Sequence, residues 1–99
     1  MEQLSYTYKA TQPIKEKIHV GVVGSGDLEI LMFPTTNAES TVQICTGSDG
    51  FQEVWGNVLT RFFDRYPILS DIVINDFGAT PGVVYLRLTQ AMEEISDEK

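Results

Sequence analysis

The sequence predicts a single α+β domain over residues 1–99: a small antiparallel sheet of four to five strands, packed by one long helix and a C-terminal helix. Three observations predict it. The first half alternates apolar and polar residues in short runs parted by turn residues, the pattern of half-buried strands. From Phe51 the period changes to that of a helix. The 99 residues, 42% of them apolar, suffice for one core without disulfides or metals.

Leu4, Tyr6 and Tyr8 alternate with polar residues, which places a first strand over residues 3–9. A polar loop with Pro13 follows. Residues 17–23 form a second strand with Ile18, Val20 and Val22 on one face, and residues 27–33 a third. Between them Gly24-Ser25-Gly26 makes a tight turn, since glycine adopts the positive φ that such turns require. Pro34 to Asn37 breaks the third strand, and residues 40–46 form a fourth. Phe51, Val54, Trp55, Val58, Leu59, Phe62, Phe63 and Tyr66 fall on one helical stripe, read as core. Asp49 is the expected N-cap, with Gln52 three residues on as in a capping box, and Pro67 stops the helix. Ile72-Val73-Ile74 is a short fifth strand. Residues 75–79 turn, with Asp76 expected to bond that turn. Thr80 caps a last helix with Pro81 at its first position, and Val84, Leu88, Ala91, Met92 and Ile95 keep the helical period. Acidic residues at the negative end of that helix dipole lead us to expect fraying over about 94–99.

The net charge of −7 argues against nucleic-acid binding and against binding to anionic membrane surfaces. No window approaches a membrane span, and the first residues lack the basic and apolar regions of a signal peptide, so a cytoplasmic place is expected. Cys45 is the sole cysteine. It is expected to be a buried structural thiol in a reducing compartment. One histidine and one cysteine make a zinc site improbable.

Ser25 stands between two glycines, with no neighbouring side chain to cover it. One reading is a small polar residue in a tight turn. The other is a hydroxyl presented for covalent modification or catalysis. Catalysis by this chain is disfavoured. A nucleophile elbow needs glycines two before and two after the serine, where Val23 and Asp27 stand. His19 lies six residues upstream, about 20 Å away in extended chain, and reads as a partly covered strand residue. The glycine spacing also reverses the dinucleotide fingerprint, and a strand follows it where a helix is required. Asp27 is either a turn residue or a recognition element for whatever modifies Ser25. An exposed serine without catalytic partners follows the logic of a carrier, with chemistry supplied from elsewhere.

The run Ile18-His19-Val20-Gly21-Val22-Val23-Gly24-Ser25-Gly26-Asp27-Leu28-Glu29 resembles the attachment region of the malonate decarboxylase acyl carrier (delta or C) subunit family. Ile74-Asn75-Asp76-Phe77-Gly78-Ala79-Thr80-Pro81-Gly82 resembles that family's second signature. Asp49-Gly50-Phe51, Trp55 and Arg61-Phe62-Phe63 fit the helix between them. A more distant similarity is to the citrate lyase gamma-chain carrier. The resemblance covers most of residues 18–92; the first 17 residues and the acidic tail carry no signature.

The resemblance implies a non-catalytic phosphoprotein subunit. Its Ser25 would carry a phosphoribosyl dephospho-coenzyme A arm through a phosphodiester, derived from a triphosphoribosyl-dephospho-CoA precursor. Gly24, Gly26 and Asp27 would present Ser25 to a separate prosthetic-group transferase. The implied partners are the acyl transferase and decarboxylase subunits, between which the arm would move acetyl and malonyl thioesters. The alternative is a small non-covalent interaction module that binds through a strand edge or the aromatic-rich helix.

Overall fold

The computed structural model describes residues 2–21, 28–47 and 50–97, with side chains described through Glu93. Six strands and two helices follow one another as β1 (Glu2–Lys9), β2 (Gln12–Pro13), β3 (Ile18–Val20), β4 (Leu28–Pro34), β5 (Glu39–Thr46), α1 (Gln52–Arg65), β6 (Ile68–Asp76) and α2 (Pro81–Asp97). The main sheet runs β1-β5-β6-β4-β3, and β2 pairs with the start of β6. Both helices pack on one face of it.

Strand alternation decides which residues meet the helices. Leu4, Val42, Ile44, Ile72, Ile74, Ile30, Met32, Ile18 and Val20 all turn to the helix side and are buried. From α1, Trp55, Leu59, Phe62 and Phe63 meet them, and from α2, Val84, Leu88, Ala91 and Met92. Tyr8 stacks on Phe63 with ring centres 4.6 Å apart, and Arg61 lies 4.9 Å from the Tyr85 ring, tying α1 to α2. Among the described residues, no helix lies over the opposite face of the sheet.

The α+β class and the helix placement agree with the sequence; the strand pairing differs in part. The β1–β5, β3–β4 and β4–β6 pairs are antiparallel, whereas β5–β6 and β2–β6 are parallel, so the sheet is mixed. The reason is α1. A helix between β5 and β6 returns the chain to the starting end of the sheet, which makes the next strand parallel.

Strand β6 is also longer than the three residues Ile72–Ile74 that the sequence marked. Ser70, Asp71, Asn75 and Asp76 disfavour a strand by themselves. Cross-strand partners hold them there. Ser70 Oγ donates to the Phe33 carbonyl at 2.9 Å, and its N–H donates to Ser40 Oγ at 2.9 Å. Ser40 Oγ in turn donates to the Ile68 carbonyl. Thr41 Oγ1 donates to Asp71 at 2.8 Å and Thr46 Oγ1 to Asp76 at 2.7 Å, both directly opposite in the β5–β6 register.

Helix α1 begins later than expected. Its N-cap is Phe51, which makes no side-chain cap bond, in place of Asp49; Asp49 itself lies outside the described residues. Thr80 does cap α2, accepting from the Val83 N–H at 3.4 Å, with Pro81 first in the helix. The backbone of α2 is helical through Asp97. Cys45 is half-buried on the helix-free face rather than in the core, because Val42 and Ile44 take the inward positions of β5.

Candidate functional site

Residues 22–27 join β3 to β4 in sequence, and the flanking Gly21 and Leu28 meet at one end of the sheet. Gly21 has φ of +94°. A Cβ on it would overlap the Leu28 carbonyl oxygen, so only glycine lets the hairpin close this tightly. The sequence drew attention to Gly24 and Gly26 in this hairpin; the described structure adds Gly21 as the residue at its neck. Ser25, Gly24, Gly26 and Asp27 lie outside the described residues.

The neck is fixed on both sides. β3 pairs with β4 through Val20 and Ile30, and β4 pairs with the central β6 from Leu28 opposite Asp76 onward. Leu28, Ile30 and Met32 are fully buried. The segment thus springs from an edge hairpin whose second strand is part of the core.

Two polar clusters border this end. Asp76 is 8% exposed and uses both carboxylate oxygens. Oδ1 accepts the N–H groups of Gly78 at 3.0 Å and Ala79 at 2.8 Å, and Oδ2 accepts Thr46 Oγ1. The turn role expected of Asp76 is therefore present, and Gly78, with φ of +122°, completes the turn. Thr46 had no local signal, since it meets Asp76 only through the parallel pairing. On the helix-free face, the Glu29 carboxylate accepts from Asn75 Nδ2 at 3.0 Å and pairs with His19 Nε2 at 2.9 Å. Glu29 is 9% exposed, while the His19 side chain is 47% exposed. His19 is the partly covered strand residue the sequence suggested. Glu29 and Asn75 join it only once β3, β4 and β6 are set in register.

Beside these lies a cavity of about 290 Å³. Phe51 at the N-cap of α1 and Val54, Trp55 and Val58 within it face Ala79 and Val84 across the cavity, and Thr46 and Asp76 close it where β5 and β6 end. Phe51 is 49% and Val54 37% exposed. The sequence read both as core. The first turn of α1 overhangs the ends of β5 and β6, so these two side chains rim a cavity where a strand would have buried them. Among the described residues no cluster of His, Cys, Asp and Glu could hold a metal ion, and no helix is long and apolar enough to cross a membrane.

A family model for the malonate decarboxylase delta subunit (MdcD) matches residues 15–95. The chain belongs to this family. The malonate decarboxylase acyl carrier protein of Azotobacter vinelandii is 45% identical over 98 residues, covering 98% of this chain and 99% of its own length. That of Pseudomonas fluorescens (strain SBW25) is 46% identical over 99 residues, covering 99% of this chain and 100% of its own. A chain in the crystal structure of a Pseudomonas malonate decarboxylase hetero-tetramer in complex with malonate has the same fold. The TM-score is 0.88 at 46% identity, over 96% of this chain and 99% of that one. The resemblance read from the segment around Ser25 and from residues 74–82 thus extends over the malonate decarboxylase carrier as a whole.

Proposed function

We propose that this chain carries acyl groups within a malonate decarboxylase on a phosphoribosyl dephospho-coenzyme A arm bound covalently to Ser25. Within residues 22–27 Ser25 has the sole hydroxyl, and the flanking glycines bring no side chain to shield it. That is the observation that carries the proposal. The residues present fit such a group: one nucleophilic oxygen, a hairpin closed by Gly21 at an edge strand, and an apolar cavity beside its base.

In the transferase, the Ser25 oxygen would bond to the inner phosphorus of the triphosphoribosyl precursor. Diphosphate would leave, and the hydroxyl proton would pass to a base of the transferase. When bound, the arm supplies a thiol that holds acetyl or malonyl as a thioester. This chain's contribution is then proximity: a tethered group meets successive active sites at high effective concentration. The core fixes the hairpin base, so the arm moves while the body stays rigid. Gly24 and Gly26 clear the approach to Ser25, and Asp27 supplies a charge for the transferase to read. The partners are the acyl transferase and decarboxylase subunits of a cytoplasmic complex, in keeping with the hetero-tetramer to which the similar chain belongs.

Intact mass of protein made in its own host tests this. A covalent adduct that peptide mapping places on Ser25 is expected. An unmodified chain, or an adduct mapped elsewhere, would refute the carrier assignment and favour a non-covalent module.

A further inference from the structure

The cavity beside the hairpin base has a character of its own. Its walls include the aromatic residues Phe51 and Trp55 with Val54, Val58, Ala79 and Val84. Of its polar lining, Asp76 already accepts from Thr46, Gly78 and Ala79, and Thr80 Oγ1 accepts from the Val83 N–H. Such a site holds a ligand by contact and stacking rather than by new hydrogen bonds. At about 290 Å³ it sits at the lower edge of ligand pockets, roughly 300–1,000 Å³, which suits one ring system rather than a whole cofactor.

Its position narrows the choice. Leu28 pairs with Asp76, which lines the cavity. Ser25 precedes Leu28 by three residues, and three residues of chain reach at most about 11 Å. A dephospho-coenzyme A arm joined there through phosphoribose has its adenosine near the protein-linked end and its thiol at the far end. The adenine is the part of the arm within short reach, and a purine offers the flat face on which aromatic side chains stack.

We infer that the cavity between the first turns of α1 and α2 is a docking site for the adenine ring of the arm. This rests on Ser25 being the attachment point. Tethering makes weak contact sufficient, since short flexible linkers give effective concentrations in the millimolar range. The ring rests in the cavity for part of the time, and the thiol end stays free to travel.

Trp55 is the sole tryptophan and lines the cavity, so it reports directly. The full chain is compared before and after modification by the transferase, with mass spectrometry mapping the adduct. Attachment should partly quench Trp55 emission and shift the methyl resonances of Val54, Val58, Ala79 and Val84. Adenosine added to the unmodified chain should move the same resonances with a millimolar midpoint, and free pantetheine should not. Val58→Phe, which fills the cavity, should keep the adduct and lose at least half of the quench. Val54→Gln, at the more exposed rim, should do so in part and guards against a misfolded first variant. Three results would overturn the inference. One is a chain modified on Ser25 whose Trp55 and methyl signals match the unmodified chain, which leaves the carrier role standing. Another is a response of the cavity to partner subunits but not to the arm, which assigns it to a partner side chain. The third is the lack of any adduct on Ser25, which removes the carrier role and this site together.

Discussion

On the proposal that Ser25 is exposed for attachment, Ser25→Ala is a surface change, and such changes lie within about 0.5 kcal/mol. The fold should survive while the adduct and malonate decarboxylation by the reconstituted complex both vanish; mass spectrometry and a decarboxylation assay check this. Asp76→Ala acts oppositely. It removes the acceptor of three hydrogen bonds. Only the Thr46 bond is buried and the two turn N–H groups are partly open to water, so a loss of about 1–3 kcal/mol in urea unfolding is expected. Tyr6 contributes to the fall of stability on the alkaline side. Burial, then the nearby Tyr8 and Glu2, raises its pKa above the ordinary 10.0, and its hydroxyl donates to the Gln52 carbonyl at 2.7 Å. The folded state therefore holds this proton more tightly than the unfolded one. Its contribution is complete below pH 10 and is lost as pH rises through the higher folded value. Tyr6→Phe should flatten that fall, measured as melting temperature against pH. At this scale the sequence exposed what is local. Asp76 could be read because an Asp two residues before a glycine bonds its own turn. Thr46 and the Glu29–His19 pair could not, since their partners lie 30 and 10 residues away and meet only through strand register.

The long helix is the element on which the core depends most. Leu59 is fully buried at the middle of α1. Leu59→Pro removes a helix bond and clashes with the preceding turn, at a cost of about 3 kcal/mol or more against a total of order 5–15. Far-UV circular dichroism and thermal melting should show a largely unfolded chain; a mutant that matched the parent in both would contradict the packing described. This helix was legible because its apolar residues repeat at a helical period over four turns, and α2 because Thr80-Pro81 announces its start. The start of α1 was not. Asp49 and Gln52 have capping-box spacing, yet the first helical residue is Gln52 itself, with Phe51 as the cap. β6 was the least legible strand. Four polar side chains interrupt its apolar pattern, and the bonds that hold them come from β4 and β5.

At the scale of the molecule, the net charge of −7 bears on association. Docking onto basic surfaces of the partner subunits should slow and weaken as salt rises, because exposed charges are screened beyond about 10 Å at 0.1 M. Association rates measured across a salt series check this, and a flat series would count against electrostatic docking. The antiparallel expectation held for three of the five strand pairs and missed two for a reason that alternation cannot reveal: a strand shows which face is buried, not which way its neighbour runs. The strand order also has a consequence in time. β6 lies between β5 and β4, yet its residues 68–76 leave the ribosome after both. Before then, β3–β4 and β1–β5 are two fragments with nothing to join them, and the strands on either side of residues 22–27 have no settled place in a sheet. On the proposed attachment to Ser25, modification should therefore wait for translation to pass β6. A nascent chain ending at residue 66 contains Ser25 but should be a poor transferase substrate. If such a chain were modified as fast as the complete one, the transferase would be reading a short peptide rather than a finished sheet.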